Sequence, residues 1–263
     1  MFKKLLQFLK NLFSKSTTEE PERPDSSQSP VVDPIPEDPI KSEIPVKVEP
    51  VLAQKLLWYP VAKQVAKMPS RGKFAKGYPY GLIVHFNAGR NSATGTIDYG
   101  RTQGYNYLGM DREGQIYQPN PLNEWGYHAG TSSMKLNGKT VSSVSQYLIG
   151  IEICSAGRVE KLSKPEGDKK FKSWFGEKYT EEEIRYSGKK DNIQAGYYHK
   201  YTQKQEDALI AFCLWLKRNN PDVFSFDNVL GHDEVAPTRK NDPGAALSMS
   251  MPELRELLKK LYK

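Results

Sequence analysis

Two continuous apolar segments most constrain the fold of this chain, because each predicts a strand buried inside a sheet. The first covers residues 80–86 and carries His85 near its end, and the second covers residues 147–154 and carries Glu152. Segments with helical patterns are interleaved with these strands along the chain. We therefore expect an α/β domain with a mixed central β-sheet flanked by helices.

Shorter patterns predict further elements of this domain. Asp111-Arg112-Glu113-Gly114 is typical of a hairpin turn between two strands. Thr202 has the character of a helix N-cap, and the helix that follows it should stop at Asn219-Asn220-Pro221. Residues 251–261 predict a closing helix. Residues 156–196 are polar, rich in lysine and weakly patterned, which favours a long loop or insertion.

The first 50 residues differ in composition from the rest of the chain. Residues 16–50 contain eight of the 18 prolines and nine acidic residues, and they show no apolar period. Such a segment cannot bury enough apolar surface to offset its ordering entropy, so a disordered linker is expected. The sequence thus predicts an amphipathic basic helix over residues 1–15, a Pro-rich acidic linker over 16–50 and a globular domain over 51–263.

The N-terminal segment combines an apolar stripe with a basic face. Six apolar side chains within residues 1–15 recur at helical spacing, and lysines lie off that stripe. Lys10 interrupts the apolar core that a secretory signal peptide requires, and no small-residue cleavage site follows, so no cleavable signal peptide is expected. Two interpretations stay open: the helix binds an anionic membrane or envelope surface, or it docks on its own domain or on a second copy.

The overall composition narrows the class of partner. A net charge of +7 favours an anionic partner, whether nucleic acid, a membrane surface or an acidic cell-wall polymer. No stretch approaches the ~20 consecutive apolar residues that a membrane-spanning helix needs. Two cysteines, Cys154 and Cys213, are too few for a disulfide scaffold.

Histidines and one aspartate suggest a metal site. The chain has four histidines, and two of them, His85 and His232, end predicted strands. Asp242 follows His232 by ten residues. Two imidazoles and one carboxylate suit a catalytic zinc, which uses three protein ligands and keeps a fourth position open. From spacing alone, a structural role for the two histidines stays open.

Four sequence blocks around these residues carry a family resemblance. They are GLIVHFNA at 81–88, WGYHAGTSS at 125–133, IGIE at 149–152 and GHDEVAPTRKNDPG at 231–244. In this order they resemble the zinc-dependent N-acetylmuramoyl-L-alanine amidases of type 2, which share their fold with the peptidoglycan recognition proteins. The resemblance runs from about residue 78 to 247, is interrupted by 156–196, and does not include the first 50 residues.

The resemblance implies a metal and a set of catalytic residues. His85, His232 and Asp242 would be the ligands of Zn²⁺, where the last ligand is Asp in some branches of the family and Cys in others. Lys240, two residues before Asp242, would stabilise the oxyanion. Glu152 matches the carboxylate that one branch uses as general base, and a carboxylate inside so apolar a strand is costly unless it serves a polar site.

A tyrosine is the second candidate for the general base. Tyr105 resembles the tyrosine used in the phage lysozyme-like branch, but the hairpin after it is one residue longer than the family's usual form. We favour Glu152 as the base, with Tyr105 orienting water or substrate. His128 lies in a block that lines the substrate groove in the family, so we expect it to contact either the substrate or a metal ligand, with core hydrogen bonding as the alternative. Asn106 and Thr131 are predicted as further substrate contacts.

The resemblance implies a peptidoglycan hydrolase. The enzyme would use zinc-activated water to cleave the amide bond between N-acetylmuramic acid and the L-alanine of the stem peptide in peptidoglycan or muropeptides. A non-catalytic peptidoglycan-binding module of the same fold is the alternative, and no motif supports nucleic acid as the partner. A phage endolysin acting on the wall from the infected host cytoplasm and a bacterial cell-envelope enzyme both fit, with a lean towards the endolysin.

Overall fold

A computed structural model describes residues 56–263 of the chain. The predicted helix over 1–15 and linker over 16–50 lie outside the described residues. None of the helices within 56–263 is long and apolar enough to cross a membrane.

The described residues form strands and helices with the following bounds. The strands are β1 (Lys63–Gln64), β2 (Gly72–Lys73), β3 (Gly81–Phe86), β4 (Leu108–Met110), β5 (Ile116–Gln118), β6 (Glu124–Trp125), β7 (Ser133–Leu136), β8 (Lys139–Ser142), β9 (Leu148–Ile153), β10 (Arg158–Glu166), β11 (Lys169–Lys172), β12 (Lys178–Thr180), β13 (Ile184–Ser187), β14 (Gly196–His199) and β15 (Val229–Gly231). The α-helices are α1 (Ala93–Thr102), α2 (Gln203–Asn219), α3 (His232–Val235) and α4 (Met251–Tyr262). Short 3-10 helices cover Val144–Gln146, Glu181–Glu183, Phe226–Asn228 and Gly244–Ala246.

The central sheet is mixed, as the sequence predicts. Its six strands follow the order β1-β5-β4-β9-β3-β15. The β4–β5 pair is antiparallel and the other neighbouring pairs are parallel. The two apolar segments form β3 and β9 at the middle of this sheet, and every residue of β3 is buried. The chain therefore has the predicted α/β fold with a mixed central sheet.

Strand register brings three chemically important positions to one level of the sheet. His85 on β3 is paired with Glu152 on β9. On the other side of β3, Gly231 is paired with Val84, so His232 follows at the level of His85. Residues at the same level of neighbouring parallel strands present their side chains on the same face. His232, His85 and Glu152 therefore stand in a row near the carboxyl ends of three adjacent strands.

Helix α2 begins and ends where the sequence predicts. The Thr202 hydroxyl accepts a hydrogen bond from the Gln205 backbone N–H, and the Gln205 side chain accepts one from the Thr202 N–H. This reciprocal capping box satisfies two backbone donors at the helix start. Tyr59 packs on α2 with its ring centroid 5.0 Å from those of Phe212 and Trp215. The helix thereby becomes part of the apolar core.

The sequence favours either a long loop or an insertion over residues 156–196, and the loop alternative is wrong. Strands β10 to β14 form a five-stranded antiparallel sheet in the order β12-β11-β10-β14-β13. A small cluster supports it from inside, formed by Ala156, Val159, Phe171, Tyr179 and Ile184. Many other side chains of this sheet are polar and exposed, above all on β10, and ion pairs such as Lys178–Glu166 link its strands. Because lysine and glutamate occur on both faces of these strands, the sequence does not show the alternation of apolar and polar residues that predicts a strand.

Helix α1 is a second element that the sequence patterns did not indicate. It contains Gly95 and Gly100, and glycine is among the weakest helix formers. Its stability comes from packing, because Ile97 is buried in a cluster with Met68 and Tyr107. A Cβ at Gly100 would lie 2.0 Å from the Tyr107 hydroxyl, so only glycine permits this approach. Tertiary contacts thus select a helix whose local propensity is low.

Candidate active site

A cleft of about 870 Å³ opens at the carboxyl end of the central strands. Eight of the nine predicted site residues line it: His85, Tyr105, His128, Thr131, Glu152, His232, Lys240 and Asp242. The exception is Asn106, which is buried. The structure therefore gathers into one cavity residues that are as much as 157 positions apart along the chain.

Two histidines converge on one carboxylate oxygen at the base of this cleft. The Nδ1 atoms of His85 and His232 lie 2.9 and 3.0 Å from Asp242 Oδ2. All three side chains are buried, and their ligand atoms lie within 4.8 Å of one another. Burial raises the pKa of Asp242, but the hydrogen bonds and charges of the two histidines outweigh burial and lower it. Asp242 is therefore an anion.

The outer hydrogen bonds of these rings decide which nitrogen carries the proton. His232 Nε2 faces the Ala129 carbonyl at 3.0 Å, and a carbonyl only accepts, so Nε2 is the donor. His128 Nε2 likewise donates to the Leu148 carbonyl at 3.0 Å, which leaves His128 Nδ1 to accept from His85 Nε2 at 3.1 Å. Burial, with the nearby His232, lowers the pKa of His85 to about 4. Each Nδ1 therefore donates to Asp242 when its ring is protonated and presents a lone pair to Asp242 when its ring is neutral.

This arrangement fits a zinc ion. When both rings are neutral, two nitrogen lone pairs and one anionic oxygen face each other at about 3 Å, and a shared cation stabilises that arrangement. Two imidazoles and a carboxylate form a donor set that zinc accepts, and each imidazole is oriented by a hydrogen bond from its other nitrogen. His85, His232 and Asp242 could therefore hold Zn²⁺.

Glu152 lies beside this ligand set, half-buried in the cleft. Burial raises the pKa of its carboxyl well above the ordinary value, the Asp242 charge acts in the same direction, and Lys240 acts against both. A carboxyl with a raised pKa can take up a proton and return it near neutral pH. The position of Glu152 and the direction of its pKa shift suit a general acid–base group.

A family model described as N-acetylmuramoyl-L-alanine amidase matches residues 75–245. The chain belongs to this family. The matched range contains every residue of the candidate site. No curated protein sequence matches the chain at a significant level.

Several solved structures of amidases are similar to the chain. A selenomethionine derivative of AmpD has 21% sequence identity and a TM-score of 0.46, with 76% of this chain and 96% of that chain covered. AmiD from E. coli, solved with the substrate anhydro-N-acetylmuramic acid-L-Ala-D-γ-Glu-L-Lys, has 20% identity and a TM-score of 0.46, with 71% and 60% covered. The endolysin LysCS from Clostridium intestinale has 15% identity and a TM-score of 0.45, with 77% and 98% covered.

In this member of the amidase family, His128 directly supports the ligand set. Both of its ring nitrogens already have protein partners, Leu148 and His85. The substrate contact predicted for His128 stays a prediction, but it would have to use the carbon edge of the ring. Asn106 is also poorly placed for substrate, because it is buried and does not line the cleft.

The amidase cleft also contains residues that sequence reasoning missed. Arg239 Nη2 donates to the carbonyls of Ala129 and Thr131 at 2.8 and 2.9 Å, which holds the segment beside His232. Arg239 directly precedes Lys240 in the fourth sequence block, and this position could have identified it as a residue of the site. Tyr127 is exposed at the cleft, with the Arg71 guanidinium 4.9 Å from its ring centroid.

The inserted sheet supports the loop that carries Asp242. The Gln194 side chain donates to the Lys240 carbonyl at 2.9 Å, and Asn192 Nδ2 donates to Asp233 at 2.8 Å. These two contacts tie the insertion to the segment between the second and third ligands. No sequence pattern indicated this role.

Replacing Gly150 with alanine should weaken zinc binding by about 10–100-fold, the range found when a group that orients a metal ligand is disturbed. A Cβ at Gly150 would lie 2.7 Å from Cγ and Nδ1 of His128, so the ring that orients His85 would have to move. Zinc titration against a competing chelator measures the effect. Gly188→Ala is the matched control, since a Cβ there meets nothing within 4 Å. Equal zinc affinity in both variants would contradict an orienting role for His128.

Proposed function

We propose that this chain is a zinc-dependent N-acetylmuramoyl-L-alanine amidase that hydrolyses the amide bond between N-acetylmuramic acid and the L-alanine of the stem peptide. The observation that carries the proposal is the convergence of the His85 and His232 lone pairs on Asp242, with Glu152 at the neighbouring strand position. Membership of the amidase family supports the choice of the scissile bond.

Each residue of the site has a defined role in this reaction. Zinc, when held by His85, His232 and Asp242, supplies a Lewis acid that lowers the pKa of water and polarises a carbonyl. Glu152 accepts the proton of the attacking water and returns it to the departing amine of L-alanine. The Lys240 ammonium stabilises the negative charge that develops on the carbonyl oxygen.

The rim residues orient the reactants. Tyr105 is 40% exposed, and its ring centroid lies 6.4 Å from that of Tyr107, so it stands at the mouth of the cleft. This position suits the orienting of water or substrate. Tyr107 is less suited to proton transfer, because its hydroxyl donates to the Thr96 carbonyl at 2.8 Å, and burial, with the Glu152 charge, raises its pKa.

Hydrolysis of purified sacculi tests the proposal. The zinc-loaded protein should release stem peptides whose new amino terminus is L-alanine, and a chelator should stop the release. Mass spectrometry of the soluble products and end-group analysis identify the cleaved bond. A protein that binds zinc and sacculi without releasing peptide would be the recognition module instead, and release of sugars would contradict an amidase.

We further propose that residues 1–15 bring the amidase to an anionic membrane or envelope surface, at the cell envelope or at the wall of a phage-infected host. Each lysine near such a surface contributes roughly 1 kcal/mol. The sequence places four lysines and no acidic residue in this segment. A Pro-rich linker of the length of residues 16–50 could span up to about 110 Å at ~3.1 Å per residue, which would let the domain reach wall material.

Deleting residues 1–50 should leave the hydrolysis of soluble muropeptides unchanged and weaken binding to anionic liposomes. Residues 1–50, which form the proposed tether, contribute attraction to the surface. The cleft is lined by residues between positions 85 and 242 and does not include them. Liposome co-sedimentation and a muropeptide assay measure the two properties. A full-length variant with Lys3, Lys4, Lys10 and Lys15 changed to glutamine is the matched control, and it should lose liposome binding alone. Loss of activity on soluble muropeptides in the truncated protein would refute the tether.

A further inference from the structure

Trp174 is the most exposed large apolar side chain among the described residues, at 77%. It lies in the turn between β11 and β12, where the Ser173 and Glu177 backbones are hydrogen-bonded. Its neighbour Phe175 packs against the small core of the inserted sheet. The turn therefore anchors one aromatic ring inside the insertion and presents the other outside. An indole in this state presents a large apolar face to solvent, where a ligand can stack on it.

A hydrogen bond holds Trp174 at the edge of the active-site cleft. Its Nε1 donates to the Ala88 carbonyl at 2.6 Å, and Ala88 lines the cleft. Ala88 follows His85 by three residues, so the chain between them spans at most about 11 Å. The indole is thus outside the catalytic centre but close enough for one substrate to contact both.

Further hydrogen bonds stabilise the loop that contains Ala88. Ala88 has a φ of 47°, a left-handed conformation that is uncommon for a residue with a side chain. The side-chain oxygen of Asn87 accepts from the backbone N–H groups of Gly89 and Ser155, and its amide nitrogen donates to Thr96 Oγ1 at 2.8 Å. These contacts join the loop to Ser155 on one side and to Thr96 of α1 on the other. They therefore also fix the Ala88 carbonyl, which accepts the hydrogen bond from the indole N–H.

The cleft wall next to this loop presents another exposed aromatic ring. Tyr99 lines the cleft, is 64% exposed, and lies one turn of α1 after Thr96. The cleft is also lined by the hydroxyl side chains of Thr131, Ser132 and Ser142. Aromatic rings suit the flat C–H faces of a sugar, whereas hydroxyl groups hydrogen-bond to sugar and to peptide alike. The Trp174 side is therefore the better match for sugar.

We propose that Trp174, with Tyr99, forms a stacking platform for the glycan strand of the substrate and binds a sugar beyond the N-acetylmuramic acid at the scissile amide. The platform rests on the proposed function, because a peptidoglycan substrate is what brings a glycan into the cleft. It also gives the inserted sheet a function in substrate binding. The sheet carries an aromatic ring to the edge of the cleft and thereby favours polymeric substrate over short muropeptides.

Binding of peptide-free glycan strands tests the platform without any hydrolysis. Titration calorimetry should show that Trp174→Ala raises Kd by roughly tenfold, a typical effect of losing one aromatic stacking contact. Trp174→Phe keeps a ring face but loses the hydrogen bond to Ala88, so its Kd should lie between those of the alanine variant and the native protein. Tyr186→Ala is the matched control, since Tyr186 is 63% exposed on the same inserted sheet but does not line the cleft.

A kinetic comparison separates the platform from the catalytic centre. Trp174→Ala should raise KM for glycan strands that carry stem peptides and leave kcat and KM unchanged for a muropeptide with a single sugar. Circular dichroism and thermal unfolding of the variant should match those of the native protein, because the side chain is exposed.

Three results would overturn the platform: no glycan binding by the native protein, equal Kd for Trp174→Ala and the native protein, or equal losses in Trp174→Ala and Tyr186→Ala. If Trp174→Ala instead lost binding to phosphatidylglycerol vesicles and kept glycan binding, the indole would be a lipid contact. Failure of the proposed function has a different signature, since glycan would bind through Trp174 while sacculi stayed intact.

Discussion

Asp242→Ala should remove bound zinc and reduce hydrolysis by at least about 10³-fold, because the Lewis-acid contribution of a catalytic metal amounts to several kcal/mol. The carboxylate supplies the single anionic oxygen that faces both His85 and His232. Without it, two neutral imidazoles remain, and two ligands do not hold zinc as three do. Zinc content by atomic spectroscopy and peptide release from sacculi measure both losses in the same sample.

Two further variants make this result specific. Asp242→Cys should keep zinc, since a thiolate is also a good zinc ligand, and should retain part of the activity. Asp222→Ala, at an exposed position, should behave as the native protein. If Asp242→Ala kept full zinc occupancy and full rate, the assigned ligand set would be wrong.

Glu152→Gln should reduce kcat by about 10²–10⁴-fold and leave the zinc content unchanged, because the amide keeps the shape of the carboxyl but cannot accept a proton. The side chain stands beside His85 on the neighbouring strand without being part of the ligand set. Steady-state kinetics on a muropeptide and metal analysis of the same preparation measure the two properties.

Comparison with a second variant assigns the base. Tyr105→Phe should cost less than Glu152→Gln, since Tyr105 lies at the exposed mouth of the cleft. Glu160→Gln, an exposed carboxyl on β10, should leave kcat unchanged. A larger loss in Tyr105→Phe than in Glu152→Gln would move the role of base to Tyr105.

The central strands could be predicted because each of them is apolar apart from one polar residue. In β3 and β9, burial within the sheet requires apolar side chains, so His85 and Glu152 stand out as exceptions that need a polar environment. The α2 helix could be predicted for a similar reason, since Thr202 and Gln205 form its cap from local sequence.

The inserted sheet and α1 could not be predicted in this way. Strands β10 to β14 bury few apolar residues, and their exposed positions carry lysine and glutamate on both faces. Helix α1 is held by Ile97 packing beneath Gly109 and by the contact of Gly100 with Tyr107. These contacts join residues that are distant or unremarkable in sequence, so a local pattern does not contain them.

The sequence by itself determined the α/β class, the two central strands and, through four motif blocks, seven of the eight predicted residues that line the cleft. Only the tertiary structure decided how those residues act together. The carbonyls of Leu148 and Ala129 orient His128 and His232, and they do so across the fold. The same holds for Trp174, whose position depends on a hydrogen bond to Ala88, 86 residues away. The physical reason is that hydrogen-bond direction and burial depend on which distant segments pack together, whereas motif and periodicity record the residue types alone.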